Sequence, residues 1–199
     1  MKVLVACEYS GVVRTAFRDL GHDAWSCDLL ESEDSSDYHI QGYVDDLLKE
    51  PWDLVIAHPP CTYLCNSGVR WLHSDPDRWD KMRDAGLFFV ECLQANTPKV
   101  AVENPVMHKH AKKVISDHYH EEVFGHLDWF SVQPWQFGDN FKKRTCFWTR
   151  GLPKLKPVSD LTGSTAVAEC FLASPGLNRW KDRSRTYKGI AEAMAEQWG

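Results

Sequence analysis

Apolar and polar positions follow two different rhythms along this chain. Unbroken apolar runs, "KVLVAC" (2–7) and "DLVIA" (53–57), have no alternating polar face and read as strands covered on both sides. The segments between them keep the helical period instead. In "SGVVRTAFRDLG", Val12, Val13, Ala16, Phe17 and Leu20 share one face, Ser10 is the expected N-cap, and Gly21 suits a left-handed C-terminal position. "HDAWSCD" (22–28) predicts a short strand ending in an acid, "ESEDSSDYHIQGY" a polar loop, and Val44–Lys49 a short helix. From Asp75-Pro76 an amphipathic helix is expected to run to Asn96, with Trp79, Met82, Gly86, Phe89 and Leu93 on its stripe. "KVAVEN" (99–104), "DWFSVQ" (128–133) and "TCFWT" (145–149) read as later strands. Strands alternating with helices imply an α/β fold with a mainly parallel sheet and helices on both faces.

Composition narrows this picture. A chain of 199 residues with 43% hydrophobic content suits one domain over 1–199. No apolar run reaches the ~18 residues of a membrane span, and Glu8 interrupts the N-terminal run too early for a secretory signal. The expectation is a soluble, cytoplasmic protein with no membrane partner. Seven cysteines, an odd number, fit a reducing compartment better than a disulfide framework. The net charge of −5 is divided unevenly. Residues 1–138 hold 12 Lys/Arg against 22 Asp/Glu, a net of −10, whereas 139–199 hold 11 against 6, a net of +5. An acidic body therefore carries a basic C-terminal segment as part of the same domain.

Ligands of open α/β sheets bind beyond the carboxyl ends of the strands, so the residues just after each strand are the candidates. The first strand is followed by Cys7, Glu8, Tyr9, Ser10 and Gly11, and the second ends on Asp28, an acid suited to ribose hydroxyls. Gly11 is the only glycine of that first turn, so G-x-G-x-x-G is absent and hydride transfer is disfavoured. No G-x-x-x-x-G-K-[ST] occurs either. A nucleoside without a pyrophosphate, such as S-adenosylmethionine, makes weaker demands on glycine. After the central strand, Pro59 and Pro60 end the ladder and hold Cys61 in a preset direction. The next strand ends on Glu103, followed by Asn104 and Pro105. A thiol and a carboxylate at neighbouring strand ends are what covalent catalysis with acid assistance requires.

"CEYSG", "HPPC" and "VENP", in that order, resemble the motifs of the DNA (cytosine-5)-methyltransferase family, and in particular its short phage and prophage members. The resemblance spans about residues 3–148, and "RTYKGIAEAMAEQW" stands where the family has its last cofactor-side helix. It implies a Rossmann-like, S-adenosylmethionine-dependent methyltransferase fold, with Cys7 to Gly11, Asp28, His58 and Pro59 on the cofactor side. It also implies that the Cys61 thiolate adds to carbon 6 of a cytosine while Glu103 bonds N3 and the exocyclic amine, so that carbon 5 accepts the methyl group. A duplex substrate would present its base by flipping. The family places an arginine pair near the sixth strand, where this chain has Lys142, Lys143 and Arg144 without the preceding Gln. Arg144 is the expected catalytic cation and Lys142, Lys143 and Asn104 the expected substrate contacts.

This chain departs from the family in three places. Two of three glycines of the first turn are replaced, and Gly42-Tyr43 stands where the family has Gly-Asp, so Asp45 or Asp46 would have to supply that acid. The stretch from Arg144 to Ser184 is too short for a separate target-recognition domain. The expected acceptor is nucleic acid, DNA first, with RNA or a free nucleotide as alternatives. Arg179, Lys181, Arg183 and Arg185 are expected to touch phosphates, with strong salt dependence and weak sequence preference, and Trp180 either stacks a base or is buried. The competing reading is a catalytically impaired member that binds nucleic acid or a host protein. Amino-group methylation is disfavoured, because His58-Pro59-Pro60-Cys61 departs at both ends from Asp/Asn-Pro-Pro-aromatic. No metal site is expected, since Cys61-x-x-x-Cys65 and the histidines of 107–120 lack the spacing of a structural zinc site.

Overall fold

In the computed structural model, residues 1–118, 128–168 and 179–199 are described. The apolar runs build the centre of a seven-stranded sheet. Strands β1 (Lys2–Ala6), β2 (Asp23–Asp28), β3 (His39–Gln41), β4 (Leu54–Ala57), β5 (Lys99–Pro105), β6 (Asp128–Val132) and β7 (Thr145–Arg150) lie in the order β3-β2-β1-β4-β5-β7-β6. β1 through β5 pair in parallel, and β7 runs antiparallel to both β5 and β6. The four residues of β4 are all buried, as a central parallel strand demands.

Alternating side chains of the central strands feed two separate cores. Val3, Val5, Leu54 and Ile56 face helices α1 (Val12–Asp19) and α5 (Lys188–Trp198), where Phe17, Ile190, Met194 and Trp198 close the layer. Leu4, Val55, Val100 and Val102 face α2 (Arg78–Leu93) and α3 (Lys109–His118), packing with Met82, Phe89, Leu93, Ala111 and Ile115. Phe17 is wholly buried, so its truncation to alanine costs about 3–5 kcal/mol. A shorter helix, α4 (Arg179–Ser184), precedes α5.

Several expectations are corrected. The polar stretch read as a loop contains β3, whose three residues pair with Ser26–Asp28 at the sheet edge. The expected helix from Asp75 to Asn96 is narrower: Asn66–His73 form a 3-10 turn and α2 spans Arg78–Leu93. The expected short helix at Val44–Lys49 reduces to a 3-10 turn over Leu47–Lys49. Ser10 is not the N-cap of α1; Gly11 occupies that position with φ +71° and makes no side-chain cap. Gly21 does take the left-handed conformation, at φ +83°. At the start of α5, a Cβ on Gly189 would collide with the Phe137 carbonyl, while its N–H donates to Asp139 Oδ2 at 2.8 Å. That close approach sets Tyr187 and Ile190 beside the end of β5, where the candidate site lies.

Candidate active site

The site forms where β1, β4 and β5 end side by side. Because Ala57 pairs with Val102 in parallel register, the chain leaves β4 as His58-Pro59-Pro60-Cys61 next to Glu103, the following residue of β5. His58 Nδ1 lies 3.3 Å from Glu103 Oε2, and these side chains are only 9% and 15% exposed. Glu103 also lines a shallow cleft with Lys143, Thr145, Phe147, Thr186, Tyr187 and Ile190. The cleft floor is firm, since Phe147 stacks on Phe130 with ring centroids 5.6 Å apart.

After Pro60 the chain makes one helical turn, with the Cys65 N–H donating to the Cys61 carbonyl at 3.0 Å. The two thiols of this turn are driven in opposite directions. A hydrogen bond to Cys65, then burial, then the nearby Glu103 charge push the Cys61 thiol up, and Lys143 only partly offsets them. The Cys65 thiol is pushed down to about 5 by the bond from Cys61 and by donation from the Ser67 hydroxyl and the Ser67 and Gly68 amides, against burial. Its sulfur lies 3.0 Å from Ser67 Oγ. The Cys65 strand bridge to Met107 and the bond from the His108 N–H to the Leu64 carbonyl, 3.0 Å, fasten the turn to the chain following β5.

The turn after β1 is built differently from a glycine-rich one. Cys7 itself adopts the left-handed conformation at φ +58°, which favours glycine. Burial, with Cys92, Asp28 and Cys27 nearby, raises its thiol well above the usual range. Glu8 is 5% exposed and turns back onto α1, accepting from the Val13 N–H at 2.6 Å and the Arg14 N–H at 3.2 Å. It supplies the cap expected of Ser10. Burial raises the Glu8 carboxyl, with His58 and the two amides acting in the other direction. Tyr9 bonds through its hydroxyl to the Lys181 carbonyl and Ser184 Oγ, both at 3.1 Å, tying α4 to this turn. Asp28, half-buried beside the turn, receives the Leu30 N–H on Oδ1 at 3.0 Å.

The expected basic residues are dispersed. Lys143 reaches the cleft and donates to the Arg185 carbonyl at 3.0 Å. Arg144 is exposed and bonds Ser131 Oγ at 3.3 Å, away from the residues lining the cleft. The Lys142 N–H donates to the Val167 carbonyl at 2.7 Å, so this residue is anchored by its backbone. Arg185 pairs with Glu33 at 2.6 Å, and the Arg183 Nε is buried without a hydrogen-bond partner. The side chains of Arg179 and Trp180 lie outside the described residues, as does Cys170. The other six cysteines are free. Asn104 is fully buried, with both amide atoms unpartnered.

Two features had no isolated signature in the sequence. One is the His58–Glu103 contact; its only trace was a histidine directly before two prolines. The other is a buried network in which Arg14 bonds Ser26 Oγ at 2.7 Å and pairs with Asp34, while His39 Nδ1 meets Ser26 Oγ at 2.8 Å. Burial raises the Asp34 carboxyl, but the bonds from Ser32 and Arg14 outweigh it and the net shift is downward. This network fixes the loop between β2 and β3 against α1.

Among the described residues no helix is long and apolar enough to cross a membrane. No protein-family model matches the sequence, and no curated protein matches it. Among solved structures, the chain is similar to a protein assigned as a DNA modification methyltransferase encoded within a prophage (E. coli), at 15% identity and a TM-score of 0.53. That likeness covers 88% of this chain and 55% of the other. A methyltransferase of Entamoeba histolytica, EhMeth, aligns at 14% identity and a TM-score of 0.47, over 88% of this chain and 60% of its own. The chain thus spans little more than half the length of these neighbours. Strand order, the reversed β7 and the prophage likeness together give this chain the α/β Rossmann-like fold of the methyltransferases.

Proposed function

We propose that this protein is an S-adenosylmethionine-dependent methyltransferase acting on carbon 5 of cytosine in nucleic acid, DNA first, through a covalent adduct to Cys61. The observation that carries this reading is the parallel pairing of β4 with β5, which delivers Cys61 and Glu103 to one edge. The charges of Glu103 and Lys143 both act on the Cys61 thiol. The prophage neighbour's assignment to DNA modification supports the acceptor class.

One residue beside the first turn supports the cofactor. The half-buried Asp28 ends β2 next to the turn, with one carboxylate oxygen held by the Leu30 amide, as a ribose-binding acid needs. Asp28, the backbone of 7–11, and Pro59 would hold S-adenosylmethionine, which supplies an electrophilic methyl group. The chain's own residues do the rest. Cys61 passes its proton to the Cys65 sulfur that it bonds, and the freed Cys61 sulfur bonds to carbon 6 of the ring, moving the electron pair to carbon 5. Glu103 accepts a hydrogen bond from the exocyclic amine and holds the base against the thiol. Once carbon 5 is methylated and gives its proton to water, the sulfur–carbon bond breaks, its electron pair returns to sulfur, and the Cys61 thiol recovers its proton. Lys143, which lines the cleft with Glu103, takes the role of catalytic cation expected of Arg144. Residues 1–199 are proposed to act as one domain in the cytoplasm.

A second reading has its own support. The left-handed Cys7 and the Glu8 carboxylate folded onto the α1 amides make a turn unlike a glycine-rich cofactor cradle, which favours a nucleic-acid-binding member without turnover. Incubation with methyl-labelled S-adenosylmethionine and single- or double-stranded DNA, RNA or deoxycytidine nucleotides, followed by nucleoside analysis, separates the two. Label in 5-methylcytosine is expected. Acceptor binding without label supports the second reading.

A further inference from the structure

His58 is the residue of the site that the reaction above leaves without a task, and its surroundings are unusual. Its Nδ1 lies 3.3 Å from Glu103 Oε2, and Glu8 from the β1 turn is near enough to feel the charge of the ring. His58 Nε2 is buried and has no hydrogen-bond partner. An ionised carboxylate can only accept a hydrogen bond, so contact with Glu103 Oε2 requires the proton to sit on Nδ1. With Nε2 unpaired, the contact to Glu103 is the one hydrogen bond that orients the ring among the described residues.

We propose that His58 is a positioning residue: it donates Nδ1–H to Glu103 Oε2, fixes that carboxylate in one orientation, and leaves Oε1 to address the acceptor base. The proposal rests on the reading that Glu103 meets the base. Glu8 cannot take the same role, because both of its oxygens are held by the α1 amides. The charged and titratable groups near this pair among the described residues are Glu8 for His58, and Lys143, Cys61, Cys146 and Tyr187 for Glu103. None of the other side chains lining the cleft, Thr145, Phe147, Thr186, Tyr187 and Ile190, is a carboxylate that could replace Glu103.

The test joins a readout that needs no turnover to one that does. Long-range proton–nitrogen spectra of the folded, labelled protein, with the His58 signals identified by their loss in His58→Asn, are expected to show the proton on Nδ1 and a response of that nitrogen to Glu103→Ala. A proton on Nε2 with no response to Glu103→Ala overturns the proposal. Adduct formation on 5-fluorodeoxycytidine DNA is then followed at one pH. His58→Ala is expected to slow it about a hundredfold, the usual effect of a misplaced reacting group. His58→Asn, whose amide N–H can replace Nδ1–H, is expected to recover most of the rate. Equal rates in wild type and His58→Ala overturn the proposal while leaving Cys61 chemistry intact. Absence of any adduct in the wild type overturns the cytosine reading itself, and the base-facing role of Glu103 with it.

Discussion

Glu8 and Glu103 occupy comparable places, each at the carboxyl end of a central parallel strand and each within electrostatic reach of His58, yet their surroundings assign them opposite tasks. Glu8 is 5% exposed and gives both oxygens to the first amides of α1, so it serves as a cap delivered from upstream of the turn. Glu103 keeps an opening to the cleft, and among the described residues the one hydrogen bond of its side chain is a long one to an imidazole. Position at a strand end therefore nominates a residue, and uncommitted hydrogen-bonding capacity decides whether it can act on a ligand. The same criterion separates Lys143, which reaches the cleft, from Arg144, which lies out on the β6 side bonded to Ser131.

The comparison breaks first at Glu103. Glu103→Gln is expected to slow methyl transfer about a hundredfold, the ordinary scale for a positioned acid or base, with little change in thermal stability. A larger effect on stability than on rate would reverse the two roles. Glu8→Gln is expected to do the opposite, lowering stability by about 1 kcal/mol because an amide at the cap cannot accept from two N–H groups. Its pH signature sharpens the contrast. Since burial raises the Glu8 carboxyl in the folded protein, the folded state holds that proton more tightly than the unfolded chain. The stabilisation linked to it is fully present below the usual carboxylate range and is lost as pH rises through the folded value. Denaturation midpoints should show that decline in wild type, and the decline should be smaller in Glu8→Gln.

Gly11→Ala probes the same turn by geometry. The new Cβ would meet the Arg14 guanidinium, which is already paired with Asp34, at a φ of +71°, so a loss of about 1–3 kcal/mol is expected in urea unfolding. The smallest effect is expected at the rim. Arg185→Ala removes a pair with Glu33 in which the arginine is 45% exposed, and should change stability by less than about 1 kcal/mol.

How much of this was visible in the sequence follows from range. β1 and β4 were legible because a strand buried on both faces must be apolar without interruption, and the order of their ends brought Cys61 and Glu103 together. β3 was not, because His39-Ile40-Gln41 is too short to show any period and is held only by pairing with β2. Ser10 carried the expected local signature of a cap, but the carboxylate of Glu8 reaches the same amides and Gly11 takes the capping conformation. The Arg14–Asp34 pair and the His58–Glu103 contact join residues distant in sequence, and their partners are defined only once β4 lies against β5 and the loop after β2 folds over α1. Cys65 had no sequence feature to separate it from an ordinary loop thiol, because its environment comes from the Ser67 and Gly68 amides of a 3-10 turn.

The central claim is that Cys61, and not the more acidic Cys65, forms the bond to the pyrimidine. Its most direct measurement is peptide mass spectrometry of the protein trapped on a 5-fluorodeoxycytidine oligonucleotide in the presence of S-adenosylmethionine, for wild type, Cys61→Ser and Cys65→Ser. The account predicts an adduct at Cys61 in wild type and in Cys65→Ser, and none in Cys61→Ser. An adduct located on Cys65, or one that survives Cys61→Ser, contradicts it.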